Sequence, residues 1–233
     1  MGQYIMRWLI IDKFEEVVKN SSPPPSTDAV VGGPSKDPEV EILIKNFPNV
    51  EITYFGIDNP HNDRNFEFFD LNSQQDSDRS FSLVLCSQVI EHIHNLETAF
   101  RNIAKLSLKG EGYVWINCPA SNMPHGSPNY YAAGYSKELI QEYLLRNNQQ
   151  IIKSGYFGSK RYIFLTHSLH FWATKGEHSH PIIGYEFKPG SILGRLNKYR
   201  KEILWRFVSL LFSKKIREDL DYESEVYVFS RSM

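Results

Sequence analysis

The chain has 233 residues, of which 41% are apolar, 14% aromatic and 23% charged. That content excludes a chain disordered throughout, and two cysteines, Cys86 and Cys118, exclude a scaffold built on disulfides. Lys+Arg 26 against Asp+Glu 27 leaves a net charge of −1, which argues against a globally basic nucleic-acid binder.

No run reaches the roughly eighteen apolar residues that a membrane-spanning helix needs. The stretch 4–14 is apolar, but Arg7, Asp12 and Lys13 interrupt it and no small-residue cleavage site follows. The expectation is a cytoplasmic protein with reduced thiols.

Ile5, Trp8, Leu9, Ile10, Phe14 and Val17 recur at helical spacing over 5–19. Pro23, Pro24 and Pro25 cannot continue that helix. This predicts a leading helix and stiff linker over 1–27, ahead of a main domain over 28–233. A β-prone run at 29–31 ends at Gly32-Gly33-Pro34. Residues 37–46 read as a helix, with Asp37 as cap and Pro38 in the first turn. A strand at 50–57 stops at Asp58-Asn59-Pro60, and a shorter one at 66–69 ends at Asp70. Residues 81–86 form a buried strand, 96–106 a helix, 109–112 a turn and 113–118 a strand stopped by Pro119. A helix at 136–146 and a strand from 151 follow. Residues 159–190 are irregular and rich in aromatics and histidine, and 191–218 read as one or two helices. Together they make an insertion at about 159–224. The alternating run 225–230 suits a strand closing the sheet.

Strands alternating with helices predict an α/β fold: a parallel sheet with helices on both faces. Ligands of such sheets bind outside the carboxyl ends of the strands, where strand order reverses. The candidate residues are therefore Gly32, Gly33, Asp58, Asp70, Ser87, Gln88 and the loop after Cys118. A carboxylate at Asp58 can accept both hydroxyls of a ribose, or it can simply open a turn before Pro60. Two glycines expose backbone N–H groups to an anion, but many turns look alike. There is no GxGxxG and no Walker pattern, which counts against NAD and ATP.

The segment FFDLNSQQDSDRSFSLVLCSQVIEHIHNLETAFRNIAKLSLKGEGYVWINCP resembles the core of class I S-adenosylmethionine-dependent methyltransferases of small-molecule type. HGSPNYYAAGYSKELIQEYLLRNN resembles a downstream segment of the same family. The resemblance covers roughly residues 28–158, and the strand at 225–230 fits it. It implies a Rossmann-like, doubly wound sheet of seven strands, mostly parallel, with an antiparallel last strand. It also implies S-adenosyl-L-methionine as cofactor. By position, Gly32 and Gly33 would hold its amino-acid end, Asp58 its ribose, and Asp70 with Leu71 its adenine edge. Ser87 and Gln88 would face the methionine part, with Glu91-His92 beside the cofactor. The first loop departs from the family pattern LDVGCGxG, since AVVGGPSK has Val30 in place of an acid and lacks the third glycine. Pro34 also removes one N–H from the loop.

Methyl transfer is an in-line displacement, so alignment does much of the work, and a base is needed only where the acceptor must lose a proton. His125 and His92 are the acid/base candidates, and Tyr130, Tyr131 and Tyr135 the walls of an acceptor pocket. A polar loop residue, a helix-capping histidine and plain packing are the respective alternatives. His167, His170, His178 and His180 have metal-ligand spacing but no accompanying Cys set or HExxH, and no metal is expected. Segment 195–217 carries eight lysines and arginines against Glu202 alone, interleaved with apolar residues. Such a helix suits either an anionic membrane surface or a sheet face with a solvated basic edge.

The leading expectation is methyl transfer to an oxygen, with nitrogen second, of a small molecule or a glycan or lipid-linked acceptor. The alternatives are a non-catalytic module of the same fold, and, further off, a nucleotide-sugar or NAD-binding α/β protein. The leading helix could cover the cofactor or pack a partner subunit.

Overall fold

The computed structural model describes residues 8–22, 24–31, 38–59, 62–120, 134–157 and 225–233. In chain order the elements are α1 (Trp8–Lys19), β1 (Thr27–Val31), α2 (Pro38–Asn46), β2 (Glu51–Gly56), β3 (Phe66–Phe68) and β4 (Leu83–Ser87). A 3-10 turn (Ile90–His92) follows, then α3 (Leu96–Leu106), β5 (Tyr113–Pro119), α4 (Lys137–Arg146), β6 (Gln149–Phe157) and β7 (Glu225–Ser232). The strands form one sheet in the order β3-β2-β1-β4-β5-β7-β6. β7 runs antiparallel to both β5 and β6, and every other neighbouring pair is parallel. The last strand is thus inserted between β5 and β6 rather than added at an edge.

Strand order reverses between β1 and β4. The chain steps outward from β1 to β3, returns to lay β4 beside β1, and steps outward again through β5. The carboxyl ends of β1 and β4 therefore diverge at a switch point, where a crevice forms.

Both faces of the central strands are covered, which is why β4 is buried along its whole length. Leu83 and Leu85 point to one face with Tyr113 and Trp115, where α1 and α2 supply Ile10, Phe14, Val17, Val40 and Leu43. Val84 and Cys86 point to the other with Val114, Ile116 and Cys118, where α3 and α4 supply Phe100, Ile103, Ile140 and Leu144. This is the two-residue period of a strand read twice, once by each helical layer. Both cysteines are buried free thiols on neighbouring strands, and burial pushes the Cys86 thiol up.

Short polar contacts tie the segment after α1 to the amino end of the sheet. Ser82 Oγ accepts from the Ser26 N–H at 2.8 Å and the Thr27 N–H at 2.9 Å, and donates to Thr27 O at 2.6 Å. The Tyr113 hydroxyl donates to Ser22 O at 2.7 Å and accepts from the Ser22 N–H at 3.0 Å.

Several boundaries differ from the sequence reading. β4 begins at Leu83 because Phe81 makes only an isolated bridge to Ser107. β1 begins at Thr27, two residues early, since its pairing with β2 starts there. β6 begins at Gln149 because β7 runs on to Ser232 and pairs with it. Ser136 is the cap of α4 rather than its first residue, its side chain accepting from the Leu139 N–H. The insertion at about 159–224, with the histidine cluster and the basic segment 195–217, lies outside the described residues. Among the described residues no helix is long and apolar enough to cross a membrane.

Candidate functional site

Ser87 is the last residue of β4 and is 3% exposed. It follows Leu83 and Leu85 on the face covered by α2, and its hydroxyl reaches Glu39 Oε1 at 2.7 Å. Glu39 is the second residue of α2 and is fully buried. The chain then turns sharply at Gln88, whose φ of 56° lies in the left-handed region that few side chains adopt. Asn117 holds that turn. Its carbonyl accepts from the Gln88 N–H at 2.8 Å, and its Oδ1 accepts from Gln88 Nε2 at 2.9 Å. Asn117 Nδ2 donates in turn to Val226 O at 3.0 Å, so the mouths of β4, β5 and β7 are locked together. A left-handed residue so fastened re-aims the chain out of the sheet plane, as strained positions at binding sites often do.

Asp58 lies two residues beyond β2 and is exposed to solvent. Asp70 lies two residues beyond β3, half-buried, with its Oδ1 accepting from the Asn72 N–H at 2.9 Å. Leu71 turns inward and packs in the cluster beneath α3. Asn72 then bridges to the segment that leads into α3. Its Oδ1 accepts from the His94 N–H at 3.0 Å and the Asn95 N–H at 3.3 Å, while Asn95 Oδ1 caps α3 through the Thr98 N–H. Asn102 Nδ2 donates to Ser73 O at 2.8 Å. The loop after β3 is thereby fixed to the segment that carries the 3-10 turn.

Within that turn Glu91 is fully buried, and His92 Nε2 lies 3.9 Å from its Oε1. Tyr135 precedes α4 and is half-buried against the cluster beneath α3 and α4, its N–H donating to Pro119 O at 2.9 Å. Burial, with the charges of Cys118 and Glu91 nearby, pushes its phenol up to about 12.

The structure therefore places Asp58, Asp70, Ser87 and Gln88 at the carboxyl ends of three adjacent or near-adjacent strands, with His92 and Tyr135 on the connections beyond β4 and β5. Gly32, Gly33, His125, Tyr130 and Tyr131 lie outside the described residues. Sequence reasoning singled out neither Glu39 nor Asn72 nor Asn117. Glu39 follows Pro38 in a first helical turn, where an acid is ordinarily explained by the helix dipole alone. Asn117 interrupts an apolar run in β5, a signal that was there to be read.

A family model described as "Methyltransferase domain" matches residues 33–182, well over half of the chain. The chain belongs to this methyltransferase family. No curated protein matches it. Among solved structures, the methyltransferase chain is similar to the [4+2]-cyclase SpnF, at 14% identity and a TM-score of 0.54, over 96% of this chain and 80% of that one. It is similar to a coclaurine N-methyltransferase bound to N-methylheliamine and SAH, at 11% identity and a TM-score of 0.56, over 96% and 72%. A phosphoethanolamine N-methyltransferase 2 of Haemonchus contortus, in complex with S-adenosyl-L-methionine, gives 13% identity and a TM-score of 0.53, over 100% and 57%. At such identities the likeness is one of fold.

The donor set of the methyltransferase crevice fits an adenosyl cofactor. An exposed carboxylate at the end of β2 can accept ribose hydroxyls, and a carboxylate held by its own loop at the end of β3 stands one strand further out. The Ser87 hydroxyl, with the Glu39 carboxylate against it, and the Gln88 and Asn117 amides stand at the end of β4, next to the switch point.

Proposed function

We propose that this methyltransferase binds S-adenosylmethionine across the carboxyl ends of β1 to β4 and passes its methyl group to a small-molecule or glycan acceptor, at oxygen first and nitrogen second. The observation that supports the reading is that Asp58, Asp70, Ser87 and Gln88 stand at the carboxyl ends of β2, β3 and β4 in a methyltransferase-family chain. When bound, the cofactor supplies a methyl group on a positively charged sulfur. Asp58 accepts hydrogen bonds from the ribose, and the loop of Asp70 and Leu71 borders the adenine. Ser87 and Gln88 face the amino-acid part. A hydroxyl acceptor must lose its proton as it is methylated, and His92 supports that role with Glu91 beside it. His125 and the tyrosines 130, 131 and 135 belong to the acceptor side of the same proposal.

The test is methyl transfer from labelled S-adenosylmethionine to a panel of hydroxylated and amine acceptors, run beside Asp58→Ala. Losing both ribose hydrogen bonds from one carboxylate removes about 3 kcal/mol or more, over a hundredfold in cofactor affinity. Transfer to a hydroxyl that disappears in Asp58→Ala is the expected result. Transfer confined to amines overturns the choice of oxygen, and unchanged affinity in Asp58→Ala overturns the placement of the ribose.

A further inference from the structure

β1 brings no carboxylate to the crevice. Its last three residues are Ala29, Val30 and Val31, and its one acid, Asp28, is in register with Leu83 at the far end of β4. Val30 is in register with Leu85, so Ser87 stands two residues nearer the mouth, beside the point where β1 ends. At that spot a different element supplies an acid. Glu39 enters from the first turn of α2, is fully buried, and fixes one carboxylate oxygen on the Ser87 hydroxyl at 2.7 Å. Beside Ser87 the Gln88 side-chain amide donates to Asn117 Oδ1, and Asn117 Nδ2 donates to the backbone of β7.

We infer that Glu39, held by Ser87, is the negative charge that receives the cationic amino-acid end of the bound methyl donor. The inference rests on the cofactor reading above. The chemistry is that of an ammonium against a fully buried carboxylate, where opposite charges attract far more strongly than in solvent. Ser87 acts as a positioning residue, since its hydroxyl fixes which way the carboxylate faces. The cofactor's adenosine half is held elsewhere, at the ends of β2 and β3, so the two halves of the ligand are separately testable.

Calorimetric titrations with S-adenosylhomocysteine and with 5′-methylthioadenosine, which lacks the amino-acid end, separate them. Glu39→Gln keeps the volume and still accepts from Ser87, but it removes the charge. It is expected to weaken S-adenosylhomocysteine about tenfold or more while leaving 5′-methylthioadenosine within about twofold. Asp58→Ala weakens both ligands. Should Glu39→Gln fail to fold, Ser87→Ala serves: it leaves the charge but frees its direction, and it lowers the preference for S-adenosylhomocysteine by a smaller factor. Equal binding of S-adenosylhomocysteine by Glu39→Gln overturns the inference and leaves the cofactor reading intact. A parallel loss of both ligands with a lowered melting temperature makes Glu39 a structural residue, and also overturns it. If the unsubstituted protein binds neither ligand, the cofactor reading falls, and this inference falls with it.

Discussion

Tyr135 carries a phenol whose ionisation is displaced by its surroundings, and the sign of the effect is fixed. Its pKa is raised to about 12 by burial first, then by Cys118, Glu91 and Tyr143. The fold therefore holds the proton more tightly than the unfolded chain, whose phenol ionises near 10. The contribution is fully present below about pH 10 and is lost as pH rises towards 12. In a spectrophotometric titration of the folded protein, Tyr135→Phe should remove a late component of phenolate absorbance and leave the earlier ones. Disappearance of an early component instead would mean that Tyr135 is open to solvent. Asn72 makes a second prediction at this scale. Its side-chain oxygen is shared by the His94 and Asn95 N–H groups, so Asn72→Ala leaves two donors without their acceptor. The expected cost is about 0.5–1.5 kcal/mol, with faster hydrogen exchange at amides 94 and 95. Unchanged exchange there would show that the bridge from Asn72 is not formed in solution.

At the level of elements, α1 belongs to the core of the sheet. Phe14 is fully buried, with its ring 5.1 Å from that of Trp115, and Ile10, Val17 and Val18 pack beside it. Phe14→Ala should cost about 3–5 kcal/mol, read as a lowered urea midpoint with unchanged slope; a loss under about 1 kcal/mol would mean the helix is only loosely docked. The helical spacing of Ile10, Phe14 and Val17 was legible in the sequence, and the surface that would receive them was not. Periodicity says that a face is apolar without naming its partner. α3 shows the favourable case. Its apolar stripe is bounded by the Asn95 cap, and the helix at 96–106 was read from the sequence with the ends it has in the structure. Strand ends were less legible, because pairing with a distant strand decides them. β6 starts two residues early only because β7, more than seventy residues later, is there to meet it.

For the whole molecule, alternation of strands and helices gave the α/β class, and with it the rule that ligands sit at the carboxyl ends of strands. Asp58, Asp70, Ser87 and Gln88 were found that way, since each follows or ends an apolar run that stops abruptly. What escaped was the support behind them. Asn117 fastens the left-handed turn at Gln88 from a strand 29 positions downstream, and Glu39 meets Ser87 from a helix 48 positions upstream. Neither contact is local, so no sequence window contains it. Gly112 is a further case: a Cβ there would lie 2.4 Å from the Leu108 backbone nitrogen, a closeness that only the folded turn creates.

The proposed activity depends on a working adenosyl-cofactor site at the switch point between β1 and β4. Titration calorimetry of the purified protein with S-adenosylhomocysteine, using NAD as control, tests it most directly. Saturable binding in the micromolar range, about −8 kcal/mol, is expected, with no response to NAD. Absence of binding at millimolar ligand would contradict it, and would leave this chain a methyltransferase-fold module whose altered glycine loop no longer holds the cofactor.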